Sequence, residues 1–596
     1  MRLGRLRRLA GILLLDGFRA APGPMTIAAA MMLLGAVASV TYPLGIRIMV
    51  DALVHHDSAR EAIGVALVAA LFTLSWALAV AGATQGARLT DRMLIFLTAR
   101  IATLVNRVPG ISHLERPDYL LELDQLEEQR RMLASGPQQA LTLAQIVAQT
   151  LGIVVLLGLV YTPLALLPLV GLPPFLGDKR SVTLRERSDA DLAPQRRLAA
   201  ALFTLSASAA PAKELRVFGL ANELLARHAS LSAQLRSATT RAAVRGASWS
   251  AAGWILYALA FAGAIALIAL RAAHHEASLG QVVLAVSLLR RAQLSVSRIS
   301  DAIGRLLTSA RAAGHLTWLE DHARQEQDKG GGNPAPDRLE HGIELRGVSF
   351  TYPGTEHEVL RGVDAFLPAG SSVAIVGENG AGKTTLVKLL TGMYESTSGA
   401  LELDGVPLSE ISLDNWRQRT SAVFQDHARY DLLASQAVGV GSLPLVEDRP
   451  AVGMAMERAG AATLIGELPA GLETPLGRSF RDGHDLSHGQ WQKLALARGM
   501  MRKTPLLLIL DEPTASLDAP TETALFDRYA DASQEAAASV GAITLLISHR
   551  FSTVRMADLI LVLEGGVVAE RGDHASLIAH GGLYAELFEL QARGYR

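Results

Sequence analysis

Hydrophobicity is spread unevenly along the 596 residues, and that unevenness constrains the fold more than any other property of the sequence. Half the residues are hydrophobic and mean hydropathy is +0.26, yet the long apolar runs fill the first half only. A helix needs about 20 apolar residues to cross the ~30 Å hydrocarbon layer of a bilayer. Six stretches approach that length: Pro24–Leu53, Ile63–Ala83, Leu141–Tyr161, Pro163–Leu176, Ala252–Leu270 and Leu279–Ser300. The fourth and sixth stand out least. The chain is too long for one core, and residues 1–324 are expected to form an α-helical membrane domain with six spans.

The connections alternate. Those after the first, third and fifth spans are short. Those after the second and fourth are long and basic, with Arg88, Arg92, Arg100 and Arg107 in one and Lys179, Arg180, Arg185 and Arg187 in the other. The positive-inside tendency puts both long connections and both termini on the cytoplasmic side of the plasma membrane, although Arg60 and Arg271 fall outside. Arg2, Arg5, Arg7 and Arg8 precede a short apolar run, Leu9–Leu15, ended by Asp16. That run is short and interrupted for a signal peptide and suits a helix lying on the inner membrane surface.

The long connections exceed plain loops and have helical periodicity, so the spans should run on into the cytoplasm. Each holds a segment that could lie across its end, Ile111–Tyr119 and Ala212–Leu220; on composition alone both also read as solvated helix. Arg290 and Arg291 lie about ten residues into the sixth span, ~15 Å deep. Arginine there is expensive against lipid. One reading is a cationic cavity for an anionic or strongly hydrogen-bonding substrate. The other is pairing with carboxylates inside the bundle, or a span that starts later. Arg298 and Arg305 continue the face of Arg291, and Asp301 can pair with Arg305 one turn away.

A polar, glycine-rich run, Gln325–Pro336, reads as a linker, and 325–342 separates the two halves. From Ile343 strands alternate with helices, which implies a mostly parallel sheet flanked by helices over 343–596. The formal charge, 56 Lys+Arg against 57 Asp+Glu, leaves no nucleic-acid footprint in the total. The absence of cysteine excludes disulfides, thiolate metal sites and cysteine nucleophiles.

Within this half, Gly377-Glu378-Asn379-Gly380-Ala381-Gly382-Lys383-Thr384-Thr385 follows the apolar run Val373–Val376 and precedes a helical one. This is a phosphate-binding loop in strand–loop–helix context. Its glycines let backbone N–H groups curl around phosphate oxygens, and the helix N-terminus adds partial positive charge. Lys383 is expected on the β- and γ-phosphates and the Thr384 hydroxyl on Mg²⁺. Tyr352 precedes the loop and could stack on adenine, though alone it reads equally as a buried tyrosine. Gln425 follows an apolar strand end, where a carboxamide could reach Mg²⁺ and the attacking water. Leu486–Gln490 opens a helical run and can turn Ser487 and its N–H groups toward phosphate. Leu506–Leu510 is a strand ending in Asp511, a candidate Mg²⁺ holder, and Glu512, a candidate to polarise the attacking water. His549 follows the strand Ile543–Ile547, placed for the γ-phosphate or for a structural role.

The order and spacing of Tyr352, the phosphate loop, Gln425, Leu486–Gln490, Asp511-Glu512, Asp518 and His549 resemble the ATP-binding cassette family, and the resemblance covers essentially the whole chain. Six spans followed by one cassette look like an exporter-type half-transporter. The likeness makes Tyr352 the A-loop aromatic, Gln425 the Q-loop, Leu486–Gln490 the signature, Ser516-Leu517-Asp518 the D-loop and His549 the switch histidine. It makes the segments near Glu115 and Phe218 the two coupling helices. It also implies that two cassettes pair head to tail, with each ATP between one phosphate loop and the other chain's Ser487, Gly489 and Gln490, and that closure drives the spans from inward- to outward-facing. One departure is His488, where the family usually has glycine; it bears on how closely that phosphate approaches.

Phe424–Tyr430 and Leu476–Ser487 look like the lantibiotic and secondary-metabolite exporters of Gram-positive bacteria. Some peptide exporters carry an N-terminal cysteine peptidase; this chain has no cysteine and is expected not to trim a leader that way. The expectation is thus a homodimeric, ATP-hydrolysing exporter, using ATP and Mg²⁺, of a peptide or small amphipathic natural product. Alternatives are a multidrug or lipid exporter, or a regulatory half of a heterodimer. Intact Glu512 and His549 argue against the last, and an importer would usually carry spans and cassette on separate chains.

Overall fold

The computed structural model describes residues 11–208, 211–327, 331–478, 480–512, 519–548 and 550–594. It divides into two compact units, Met1–Thr103 with Glu122–Leu319, and Leu104–Leu121 with Glu320–Arg596.

The first unit is helical. Four stretches are long and apolar enough to cross a membrane: Pro22–His55, Ser58–Arg107, Pro117–Val160 and Ala221–Ala273. They correspond to the first, second, third and fifth expected spans, and Ser58–Arg107 and Ala221–Ala273, at 50 and 53 residues, run well past the hydrocarbon length. The fourth expected span opens as a 3₁₀ stretch, Thr162–Gly171, and continues as the helix Leu172–Asp191. Pro163, Pro168, Pro173 and Pro174 explain this, since each removes a backbone donor. The sixth lies in the helix Leu279–Gln327, whose apolar run is broken by Arg290, Arg291 and Arg298.

These helices wear their bulk outward. Trp76 is 66% exposed, Leu159 78% and Ile255 61%, while glycines occupy the close contacts. A Cβ on Gly64 would lie 2.6 Å from the backbone nitrogen of Met49. Small residues between helices and large apolar ones outside are what a lipid solvent selects. Of the N-terminal interfacial helix, residues 1–10 lie outside the described residues; a π-helical turn, Gly11–Leu15, leads into the helix Asp16–Ala20. Asp16 is buried and paired with Arg100 at 2.6 Å. The second cross-lying segment forms a short helix, Ala212–Val217, with Val217 80% and Phe218 68% exposed.

The second unit carries the strands β1 Gly342–Thr351, β2 Glu358–Pro368, β3 Ser372–Gly377, β4 Ser398–Leu403, β5 Val406–Pro407, β6 Thr420–Val423, β7 Leu507–Asp511, β8 Ile543–Ile547, β9 Leu559–Glu564 and β10 Val567–Gly572. One sheet has the order β10-β9-β3-β8-β7-β6, parallel from β9 to β6; the other, β2-β1-β4-β5, is antiparallel. β7 and β8 are buried at every residue, which is why they read as unbroken Leu/Ile runs rather than alternating ones. The carboxyl ends of β3, β6, β7 and β8 lie along one edge, where open α/β sheets bind ligands.

The first cross-lying segment belongs to this unit. It is a turn rather than a helix before Pro117, closed by the Leu114 N–H to the Ile111 carbonyl and the Arg116 N–H to the His113 carbonyl, and it is tied to the cassette at two places. The Ile111 N–H donates to the Met393 carbonyl at 3.1 Å. Glu115 accepts from Lys388 at 3.0 Å and from the Tyr394 hydroxyl. Burial raises the Glu115 carboxyl, but these two hydrogen bonds outweigh it and hold it below its ordinary value. Part of the expected linker is structured: the long helix runs to Gln327, and Asn333 pairs with Ile411.

Candidate functional site

The phosphate loop leaves β3 at Gly377 and enters the helix Lys383–Leu390. Two glycines are forced. Gly377 has φ 153° and a Cβ there would lie 2.2 Å from the Leu563 carbonyl oxygen; Gly382 has φ 102° and would meet Leu360 at 2.6 Å. Lys383 is buried and folds back across the loop, donating to the carbonyls of Gly377 at 2.7 Å and Glu378 at 2.9 Å. Burial pulls its ammonium pKa down, opposed by Glu512 and Asp511. Glu378, Asn379, Gly380 and Thr384 face solvent, whereas Ala381 and Thr385 are buried. The Tyr352 hydroxyl lies 3.0 Å from that of Thr385, and its ring meets Phe350 edge-on at 4.9 Å and Tyr394 at 5.5 Å. Tyr352 thus stands against the phosphate-loop helix in an aromatic cluster.

Two further strand ends converge. Gln425, two residues past β6, donates its carboxamide N–H to Glu512 at 2.7 Å. Asp511, the last residue of β7, is 3% exposed. Burial first, then Glu512 and Asp426, push its carboxyl up to about 6, against the pull of Lys383. Glu512 has a left-handed backbone, φ 47°, sparsely populated by non-glycine residues. Among the described residues no three acidic or imidazole side chains gather as a metal site. A hard cation here would take Asp511, the Thr384 hydroxyl and Gln425 as oxygen donors, with phosphate oxygens supplying the rest. The acid cluster that raises Asp511 fits such a cation, because two positive charges would remove the repulsion that Lys383 only partly offsets.

The signature forms the start of the helix His488–Gly499. Ser487 caps it: its hydroxyl accepts from the Gln490 N–H at 3.3 Å, and the Gln490 side chain accepts from the Ser487 N–H at 2.9 Å. This capping box satisfies two helix-end donors. Gln490 also donates to Glu467 at 3.0 Å, and Gly489 has open space where a Cβ would sit. Ser487 is exposed, and among the described residues no hydrogen bond joins Ser487, Gly489 or Gln490 to the phosphate loop. His549 and Ser516-Leu517-Asp518 lie outside the described residues. Sequence reasoning passed over Asp426, which adds to the acid cluster although it directly follows Gln425, and the pair Lys388–Tyr394.

In the first unit, Arg291 sits over the Tyr42 ring at 4.3 Å and donates to the Ser39 carbonyl. It lines a cavity of about 290 Å³ with Trp76, Gln145, Gln149 and Arg298. Arg290 is exposed and does not line it. The expected Asp301–Arg305 pair does not form; Arg305 donates to Gln139 at 3.2 Å.

The second unit is thus a phosphate-loop ATPase cassette, and the whole is a helical membrane-type unit followed by that cassette. Residues 360–515 match the family model described as ABC transporter. A structure described as a bacterial Atm1-family ABC exporter with ATP bound superimposes with TM-score 0.82, over 96% of this chain and 98% of that one, at 22% identity; the fold is shared. An ATP-dependent lipid A-core flippase of Burkholderia orbicola is 34% identical over 365 residues, 61% of this chain and 59% of that protein. The flippase of Aromatoleum aromaticum is 35% identical over 326 residues, 53% and 51% of the two chains. That of Pseudomonas aeruginosa is 34% identical over 315 residues, 52% and 49%. The chain thus spans about half to three-fifths of the length of these curated relatives. The likeness to lantibiotic and secondary-metabolite exporters is corrected by these relatives, which are lipid flippases. It rested on residues 424–430 and 476–487, all of them in the cassette.

Proposed function

We propose that this chain is an ATP-hydrolysing exporter of the plasma membrane, multi-pass with both termini cytoplasmic, that works as a homodimer and moves a lipid-like amphiphile. Residues 1–324 form its membrane domain and 343–596 its cassette. The observation that carries the proposal is the Gln425–Glu512 hydrogen bond beside buried Asp511 and Lys383, in a chain with four membrane-length helices. Lys383 and the N–H groups of the phosphate loop hold the nucleotide phosphates, and Tyr352 flanks the adenine. Glu512, aimed by Gln425, orients the attacking water, and His549 contacts the γ-phosphate. Thr384, Asp511 and Gln425 would hold Mg²⁺, which would supply positive charge to the nucleotide phosphates when bound. Ser487, Gly489 and Gln490 complete the site of the partner chain.

The cavity at Arg291 supports this substrate class. Its wall joins guanidinium and carboxamide groups to the rings of Tyr42 and Trp76, which suits an amphiphile with an anionic or strongly hydrogen-bonding head. The flippase relatives point the same way, and the peptide reading has no such support. The test is ATPase stimulation of the purified full chain in nanodiscs by acidic and neutral lipid amphiphiles and by cationic peptides. An acidic lipid should stimulate wild type, and Arg291→Ala should weaken its apparent affinity about tenfold, as loss of a charge-assisted hydrogen bond does. Arg290→Ala should change it little. Stimulation by peptides alone, or equal effects of the two arginines, overturns the lipid reading.

A further inference from the structure

His488 is the residue by which this signature departs from its family likeness, and the cassette uses it. It is the first residue of the helix His488–Gly499, directly after the capping Ser487. Its ring receives a hydrogen bond at Nδ1 from the Arg429 guanidinium at 3.3 Å. Arginine only donates, so Nδ1 is the acceptor in this contact. On its other contact, the His488 ring stacks on His427 with centroids 5.7 Å apart and planes at 29°. Glycine at 488 would supply neither.

Arg429 and His427 follow Gln425, whose carboxamide holds Glu512. The same segment is fastened again at the far end of the helix. Arg498 donates to the Ala428 carbonyl at 3.2 Å and lies over the Tyr430 ring at 4.4 Å. Residues 427–430 therefore bridge the two ends of the signature helix, and one of the two fastenings exists only because residue 488 has a side chain.

We propose that His488 and Arg429 form a clasp that seats the Gln425 segment on the signature helix, making His488 a positioning residue that links the orientation of Ser487 to that of the Gln425–Glu512 pair. Neither clasp residue is among those that the proposed function places against the nucleotide. The clasp rests on the ATPase reading for its consequence in turnover and on geometry alone for its existence.

Two measurements on the full chain separate these. In hydrogen exchange of the ATP-free protein, amides of residues 426–431 should exchange about threefold to tenfold faster in His488→Gly and in Arg429→Ala, since an exposed hydrogen bond to a charged group is worth about one such factor. His488→Asn, whose amide oxygen can accept from Arg429, should stay near wild type. Unchanged exchange in both truncations overturns the clasp, whatever the protein hydrolyses. In steady-state ATPase, each truncation should lower kcat about fivefold with KM for ATP within about twofold, because the phosphate loop is untouched. The double variant should be no worse than either single one, and His488→Asn should recover most of the loss. Costs that multiply, or that fall on KM, overturn the positioning role. A wild-type protein that binds but never hydrolyses ATP counts against the exporter reading, and the exchange result still decides the clasp.

Discussion

The cassette presents two unequal groups of proposed site residues. On the phosphate-loop side Lys383 and Asp511 are buried and the groups are engaged within the chain: Lys383 lies across the loop carbonyls, Asp511 is 3% exposed, and solvent-facing Gln425 holds Glu512. On the signature side Ser487 is exposed, and its hydrogen bonds end within its own capping box. The first half is finished within one chain. The second is held in its own capping box at an exposed helix start, with no partner from the phosphate loop among the described residues. On the proposed function, a site divided in this way would make nucleotide binding a property of one chain and hydrolysis a property of two.

The sharpest break of that contrast is on the buried side. Glu512→Gln should keep ATP binding and lower steady-state ATPase at least ~100-fold, the usual scale for losing a group that activates water; undiminished turnover removes Glu512 from that role. Next comes the exposed side. Ser487→Arg should abolish hydrolysis without weakening ATP binding to the phosphate loop. A mixed dimer of one Ser487→Arg chain and one Lys383→Ala chain damages one composite site twice and leaves the other whole, so about half of wild-type turnover should survive if the sites act independently. Loss as complete as in the homodimers contradicts the head-to-tail arrangement.

The smallest effect concerns the electrostatics of the buried half. Asp511 has a folded pKa raised to about 6 from 3.8. A raised pKa means that its contribution to stability is full below the unfolded value and is lost as pH rises through 6. The ATP-free melting temperature should therefore fall as pH rises from about 4 to about 6 in wild type, by a few degrees for up to ~3 kcal/mol, and Asp511→Asn should flatten that slope. Ser487→Ala, on the solvent side, should leave the slope in place. A slope identical in wild type and Asp511→Asn refutes the buried repulsion.

How far the sequence revealed all this depends on the range of the contacts. The phosphate loop was legible because strand, glycines, lysine and helix are consecutive and each glycine answers a local steric demand. Four spans were legible from apolar length alone. The fourth was faint because four prolines break its hydrogen-bond ladder, and the sixth because arginines interrupt it, of which Arg291 meets the Tyr42 ring and the Ser39 carbonyl, contacts that hydropathy does not record. The acidic trio of Asp426, Asp511 and Glu512, the clasp at His488, and the docking of Glu115 on Lys388 join residues far apart in sequence. No periodicity announces them. Of the site residues, His549 and Asp518 lie outside the described residues and stay expectations.

The backbone at Glu512 has one more implication. Among the described residues, only His56, His275, Asp404 and Glu512 adopt positive φ without being glycine, and such geometry costs about 1 kcal/mol or more. Position 512 is therefore where durability and work point in opposite directions. Glycine there would relax the chain and delete the carboxylate in a single change. A laboratory screen that selects this protein only for heat resistance should be drawn to that codon, and what it enriches would be sturdier cassettes that no longer turn over.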